Sequence, residues 1–88
     1  MFYGIEALLE NKNIKKQLTH CLGLLTEKQR SILARRFGLL GHEASTLEQV
    51  GSEIGLTRER VRQIQVEALK VLKVIMEEQG MVAETVLH

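Results

Sequence analysis

Six of the seven residues from Thr57 to Gln63 are polar, in the order Thr-Arg-Glu-Arg-Val-Arg-Gln. These side chains suit recognition of a nucleic acid. A guanidinium can bridge guanine O6 and N7, a glutamine amide can pair with adenine N6 and N7, and a carboxylate can accept from cytosine N4. Extra arginines and lysines nearby can neutralise phosphates. Glu59 is informative because a carboxylate among phosphates is repelled, so its place among arginines makes most sense if it reads a base. The helix dipole offsets part of that cost at a helix N-terminus, where an acid is also common in its own right.

Other chemistries lack their parts. His20, Cys21, His42 and His88 have no metal-ligand spacing, and adjacent His20 and Cys21 diverge by about 100° on a helix. Neither GxxxxGK[ST] nor GxGxxG occurs, and Ser31, Ser45 and Ser52 lie in no nucleophile elbow. No enzymatic activity, metal or cofactor is expected.

The elements that would carry the polar run follow from apolar spacing. Ile5, Leu8 and Leu9 fit a short lead-in helix or linker over residues 1–13. Ile14, Leu18, Cys21, Leu22 and Leu25 recur at three- and four-residue steps. Thr26 with Gln29 reads as a capping box that starts a helix carrying Ile32, Leu33 and Phe37 inward. Arg35 and Arg36 suit its last turn, and Gly38 its end. Residues 38–45 read as a loop. Thr46 with Gln49 is a second capping box, for a short helix that Gly55 ends. Thr57 caps a long helix from Arg58 to about Gln79, stopped by Gly80. Residues 81–88 form a tail. The fold class is all-α, a small bundle of about five helices with a domain over 14–80.

Residues 46–69, TLEQVGSEIGLTRERVRQIQVEAL, have the pattern of a helix-turn-helix. Gly51 supplies the small residue where the second helix packs close, and Gly55 the turn residue that tolerates positive φ. Val50, Ile54, Leu56, Val61 and Ile64 fall where the two helices share a core. At 100° per residue, Val61, Ile64, Ala68, Leu72 and Ile75 face inward. Glu59, Arg62, Gln63, Val66, Lys70 and Lys73 face outward, and Arg58 and Arg60 flank that face at its N-terminal end, the part of a recognition helix that reaches base edges. Base readout is therefore assigned to Arg58, Glu59 and Gln63, and phosphate contact to Arg60, Arg62, Lys70 and Lys73. The competing readings are an ordinary helical hairpin with glycines at its corner, and a solvated face with pairs such as Glu59 with Gln63.

Composition sets the frame. At 88 residues and a net charge of +1 the chain has room for one small core, with 44% apolar and 26% charged residues. The charge is segregated: residues 26–40 and 58–73 are basic, and 41–57 are acidic. No apolar run approaches the roughly 20 residues of a membrane span. No export leader follows Met1, and the single Cys21 can form no internal disulfide, so a cytoplasmic location is expected. Without a second apolar helix stripe, a monomer is expected.

RFGL at 36–39, TLEQVG at 46–51 and LTRERVRQIQVEAL at 56–69 resemble region 4 of bacterial RNA polymerase sigma factors. The resemblance covers residues 22–79. RFGLLGHEASTL at 36–47 and RQIQVEAL at 62–69 look nearest to the general-stress branch, since housekeeping members usually carry a basic residue where this chain has Glu67. That position is associated with activator contact. The resemblance implies recognition of the minus-thirty-five promoter element in double-stranded DNA, with base contacts at Arg58, Glu59 and Gln63. It places phosphate contacts at Arg62, and more loosely at Arg60 and Thr46. It also implies docking on the flap of the polymerase β subunit through an apolar groove of Leu24, Ile32, Leu33 and Phe37, residues that simple core packing would equally explain. Anti-sigma factors or activators are further implied partners. Sigma regions for the other promoter element are missing, so a C-terminal fragment is expected. The alternatives are a stand-alone dimeric helix-turn-helix regulator and a domain used mainly as a protein-interaction handle.

Overall fold

The computed structural model describes residues 15–80, and the expected lead-in (1–13) and tail (81–88) lie outside them. Among the described residues there are four helices and no strand: α1 (Lys15–Leu22), α2 (Glu27–Phe37), α3 (Leu47–Ile54) and α4 (Arg58–Glu78). That is one fewer than the about five expected, and the lead-in helix named for residues 1–13 lies outside the described residues.

Three of the four helix starts are fixed by threonines. Thr26 and Thr46 each close a capping box, with Gln29 and Gln49 respectively, and Thr57 Oγ1 accepts from the Arg60 amide at 3.1 Å. Two orphan amides are satisfied in each box, so these helices begin where the sequence places them. Gly38 ends α2 and Gly55 ends α3, both in the left-handed region.

The first helix is shorter than its apolar spacing suggests. It stops at Leu22, and the Leu24 and Leu25 amides bond to Cys21 O and Leu22 O at 3.0 and 3.1 Å in a tightened turn. Leu25 is still buried, beyond the helix rather than on it.

The core has two lobes. The larger joins Leu18, Cys21 and Leu22 of α1, Leu33 and Ala34 of α2, Leu39, and Ala68, Leu69, Leu72 and Met76 of α4. The smaller lies inside the corner of α3 and α4, with Ile32, Val50, Val61 and Ile64 flanked by Leu47, Ile54 and Leu56. Ile32 and Leu33 point into different lobes, so α2 clamps both. The distal half of α4 is packed by α1 as well as α2, which widens its apolar stripe to Leu69 and Met76. Ile75, expected on that stripe, is only half-buried.

Candidate nucleic-acid interface

The corner between α3 and α4 decides where the polar run points. A Cβ on Gly51 would lie 2.4 Å from Leu56 O, a distance real Cβ atoms do not reach, so the turn needs glycine there. Gly51 O accepts from the Gly55 and Leu56 amides, the latter at 2.9 Å, which closes the end of α3. Gly55 has φ 76°. Two residues later Thr57 caps α4, and the bend turns Val61 and Ile64 into the smaller lobe while the polar face of the first turns of α4 stays open to solvent.

Arg58, Glu59, Arg60, Arg62 and Gln63 are all exposed on those turns. Their contacts are mostly loose. Arg58 Nε lies 3.9 Å from Glu48 Oε1, and Arg60 Nη1 donates to Gln63 Oε1 at 3.4 Å. The exception is Glu59. Arg62 grips its carboxylate with Nε to Oε1 at 2.9 Å and Nη2 to Oε2 at 2.7 Å. Gln63 Nε2 adds a marginal contact at 3.5 Å. The Glu59–Gln63 pair named in the competing solvated-face reading is therefore secondary to an i,i+3 ion pair. The Arg62 hydrogen bonds hold the Glu59 carboxyl below the usual carboxylate range. Its contribution is thus present above the ordinary carboxylate pKa and fades only as pH falls through the lowered folded value. A pH titration followed at the Glu59 carboxyl carbon should show ionisation persisting below the ordinary carboxylate range.

The residues expected at phosphates are spread out. Thr46 is exposed at the start of α3, but its amide donates to Gln49 Oε1 at 2.8 Å and its hydroxyl oxygen accepts from the Gln49 amide at 3.1 Å. Only the hydroxyl proton remains for an outside acceptor. Lys70 is exposed, 4.0 Å from Glu67. Lys73 is half-buried and about 22 Å from Arg58 along the axis, at 1.5 Å per residue.

The apolar residues singled out for docking divide. Ile32 and Leu33 each have 0% exposure and belong to the core, so they line no open groove. Leu24 is 54% exposed and Phe37 half-buried, and these two keep accessible surface. Cys21 is buried, and burial pushes its thiol pKa up, the opposite of an activated nucleophile.

Arg36 has a role its position at the end of α2 did not reveal. Its Nε donates to Gln65 Oε1 on α4 at 2.9 Å, and its Nη1 to Ser45 O at 2.8 Å. Its guanidinium also lies 5.4 Å from the centre of the Phe37 ring. One side chain thus joins α2, the chain entering α3, and α4. Arg35 makes a parallel tie from α2 to α3, reaching Glu53 at 3.0 Å. Arg36 also borders a recess of about 370 Å³ with Thr46, Leu47, Glu48 and Arg58. The expected result of Arg36→Met is a loss of about 1 kcal/mol in urea unfolding, since two charge-assisted bonds go but the site is half-open to solvent. No change in the unfolding midpoint would mean the ties are idle.

A capped helix projecting from a glycine-bound corner, with arginine, glutamate and glutamine exposed at its tip, defines a helix-turn-helix domain of the DNA-binding type. Residues 21–74 match the model of the family described as sigma-70, region 4, and the chain belongs to that family. It is 44% identical over 79 residues to RNA polymerase sigma factor RpoS of Coxiella burnetii, covering 90% of this chain and 22% of that protein. It is 47% identical over 60 residues to RNA polymerase sigma factor SigA of a Bacillus species and to SigA of Clostridium acetobutylicum. Each SigA match covers 68% of this chain and 16% of the relative. The chain therefore spans about a fifth of the length of these relatives, and its likeness to RpoS runs further along it than its likeness to SigA, in keeping with the branch suggested by residues 36–47 and 62–69.

Proposed function

We propose that this chain is the promoter-reading and polymerase-docking domain of a sigma factor. It places the tip of α4 in the major groove at the minus-thirty-five element, where Arg58, Glu59 and Gln63 read bases. Thr46, Arg60, Arg62, Lys70 and Lys73 meet phosphates and set register. The observation that carries this is the exposure of Arg58, Glu59 and Gln63 together on the capped first turns of α4, beyond the Gly51 corner. Docking on the β flap uses the surface around Leu24 and Phe37, the two of the four residues that stay accessible. Such a domain works in the cytoplasm as one copy on one asymmetric site.

The test is a titration of the 88-residue chain, at fixed and stated salt, against a duplex carrying a minus-thirty-five hexamer and against a scrambled one. The expected result is a clear preference for the hexamer, with affinity for both falling steeply as salt rises. Equal affinity for the two would refute base reading. For docking, Leu24→Glu should weaken binding to the isolated flap about tenfold, because a charge placed at an apolar contact must be desolvated. An unchanged affinity would put the docking face elsewhere.

A further inference from the structure

We propose that Arg62 is a positioning residue for Glu59: its guanidinium fork holds the carboxylate in one orientation, so that the base preference set by Glu59 depends on Arg62. This rests on the base-reading role proposed above for Glu59, and it gives Arg62 a task beyond meeting a phosphate.

The geometry sets this pair apart from its surroundings. Arg58 and Arg60 touch their neighbours only at 3.9 and 3.4 Å, whereas Arg62 makes two parallel bonds at 2.9 and 2.7 Å to the two oxygens of one carboxylate. Side-by-side donation of this kind fixes a plane as well as a distance. A salt bridge this exposed adds little to folding, so stability gives it no purpose. Orientation does. A glutamate must immobilise three side-chain torsions before its carboxylate can accept from a base, and a grip already in place removes most of that ordering from the binding step.

The grip leaves the chemistry open. A carboxylate offers about four lone-pair directions, of which Arg62 takes two and the marginal Gln63 contact a third, so capacity remains for a base amino group. Arg62 keeps Nη1 for a phosphate oxygen. Its positive charge also offsets the repulsion that the Glu59 carboxylate would meet from the DNA backbone. A glutamate is ionised in the neutral range, and hence an acceptor only, and the same hydrogen bonds push its pKa further down.

A lysine at position 62 separates the two tasks. It retains the charge and a phosphate contact but cannot present two parallel N–H groups. The experiment measures the affinity of the 88-residue chain for the hexamer duplex and for duplexes with each base pair substituted in turn. The proteins are wild type, Glu59→Gln, Arg62→Lys, Arg62→Ala and the Glu59→Gln/Arg62→Ala double variant, with helix content and melting checked for each. Glu59→Gln should identify the base pair whose preference it loses. At that same base pair, Arg62→Lys and Arg62→Ala should each lower the preference by about fivefold or more, the low end of what one base contact supplies. Preferences at the other positions should hold, and the double variant should lose no more than Glu59→Gln alone. If Arg62→Lys keeps the wild-type preference, or Arg62→Ala weakens all duplexes by one common factor, Arg62 acts on phosphate only and the inference fails while base reading stands. If the wild type shows no preference for the hexamer, or Glu59→Gln changes none, base reading by Glu59 itself fails and the inference falls with it.

Discussion

Gly51→Ala is expected to destabilise the domain by about 2–3 kcal/mol, at the upper end of ordinary overpacking costs. For a domain this size that lowers Tm by roughly 10–20 °C. Two effects oppose each other. Alanine in the middle of α3 gains roughly 0.5–1 kcal/mol in helix propensity over glycine. Against that, its Cβ would stand 2.4 Å from Leu56 O, and the next nearest atoms, at 3.4 and 3.5 Å, are also backbone. A flexible side chain could swing away; a carbonyl in a two-residue turn cannot. Leu56 is anchored by its own amide to Gly51 O at 2.9 Å, so moving it breaks the closure of α3. The steric effect wins, and whatever relief occurs opens the angle between α3 and α4.

Gly55→Ala is the companion measurement. There the added Cβ meets nothing within 4 Å, and the only cost is a left-handed backbone at φ 76°, about 1 kcal/mol for an L-residue. Gly51→Ala should therefore be the worse of the two in thermal melts. It should also cost DNA affinity at temperatures where the protein remains folded, because the tip of α4 is displaced. Equal melting of the two variants would show that the corner is not held by the close approach at Gly51.

The corner was legible in the sequence because its causes are local. Two glycines four residues apart, a threonine two residues past the second, and apolar residues at the shared face each act over a single helical turn. The capping boxes were legible for the same reason, and the helix starts at Glu27 and Leu47 follow them. Exposure of Glu59 and Gln63 followed from helix angle, and that of Arg58 from its place at the N-terminal end of that face.

What escaped the sequence depends on neighbours far along the chain. Arg36 reads as a last-turn cation, and only folding brings Gln65, 29 residues away, to its Nε. Ile32 and Leu33 sit side by side in sequence, and nothing local says that each fills a different lobe, leaving neither on the surface. The inward stripe of α4 was drawn too narrow because its width is set by α1, packed alongside. At the tip, i,i+3 and i,i+4 partners compete for Glu59. Spacing permits both, and the choice of Arg62 over Gln63 comes from the guanidinium matching the carboxylate plane.

Arg58→Ala should cost about 1–3 kcal/mol of affinity for the hexamer duplex, with the preference lost at one base pair. Binding to a scrambled duplex should change much less. Arg58 leads α4, is exposed, and is held only by a 3.9 Å approach to Glu48, so little must be broken for it to reach a base edge. A lysine farther along the helix should behave differently. Lys70→Ala should weaken hexamer and scrambled duplexes alike and lower the slope of log affinity against log salt by about one unit, the signature of one phosphate neutralised. Lys73 lies another turn away and is half-buried, so its effect on that slope should be smaller than that of Lys70. The ordering Lys70 above Lys73 is itself informative. A helix that enters the groove tip first carries its later residues away from the duplex, whereas one lying along the groove keeps both lysines near phosphates and would give equal slopes. If Arg58→Ala instead weakened every duplex by one factor, the division between base readers at the tip and phosphate contacts behind it would be wrong.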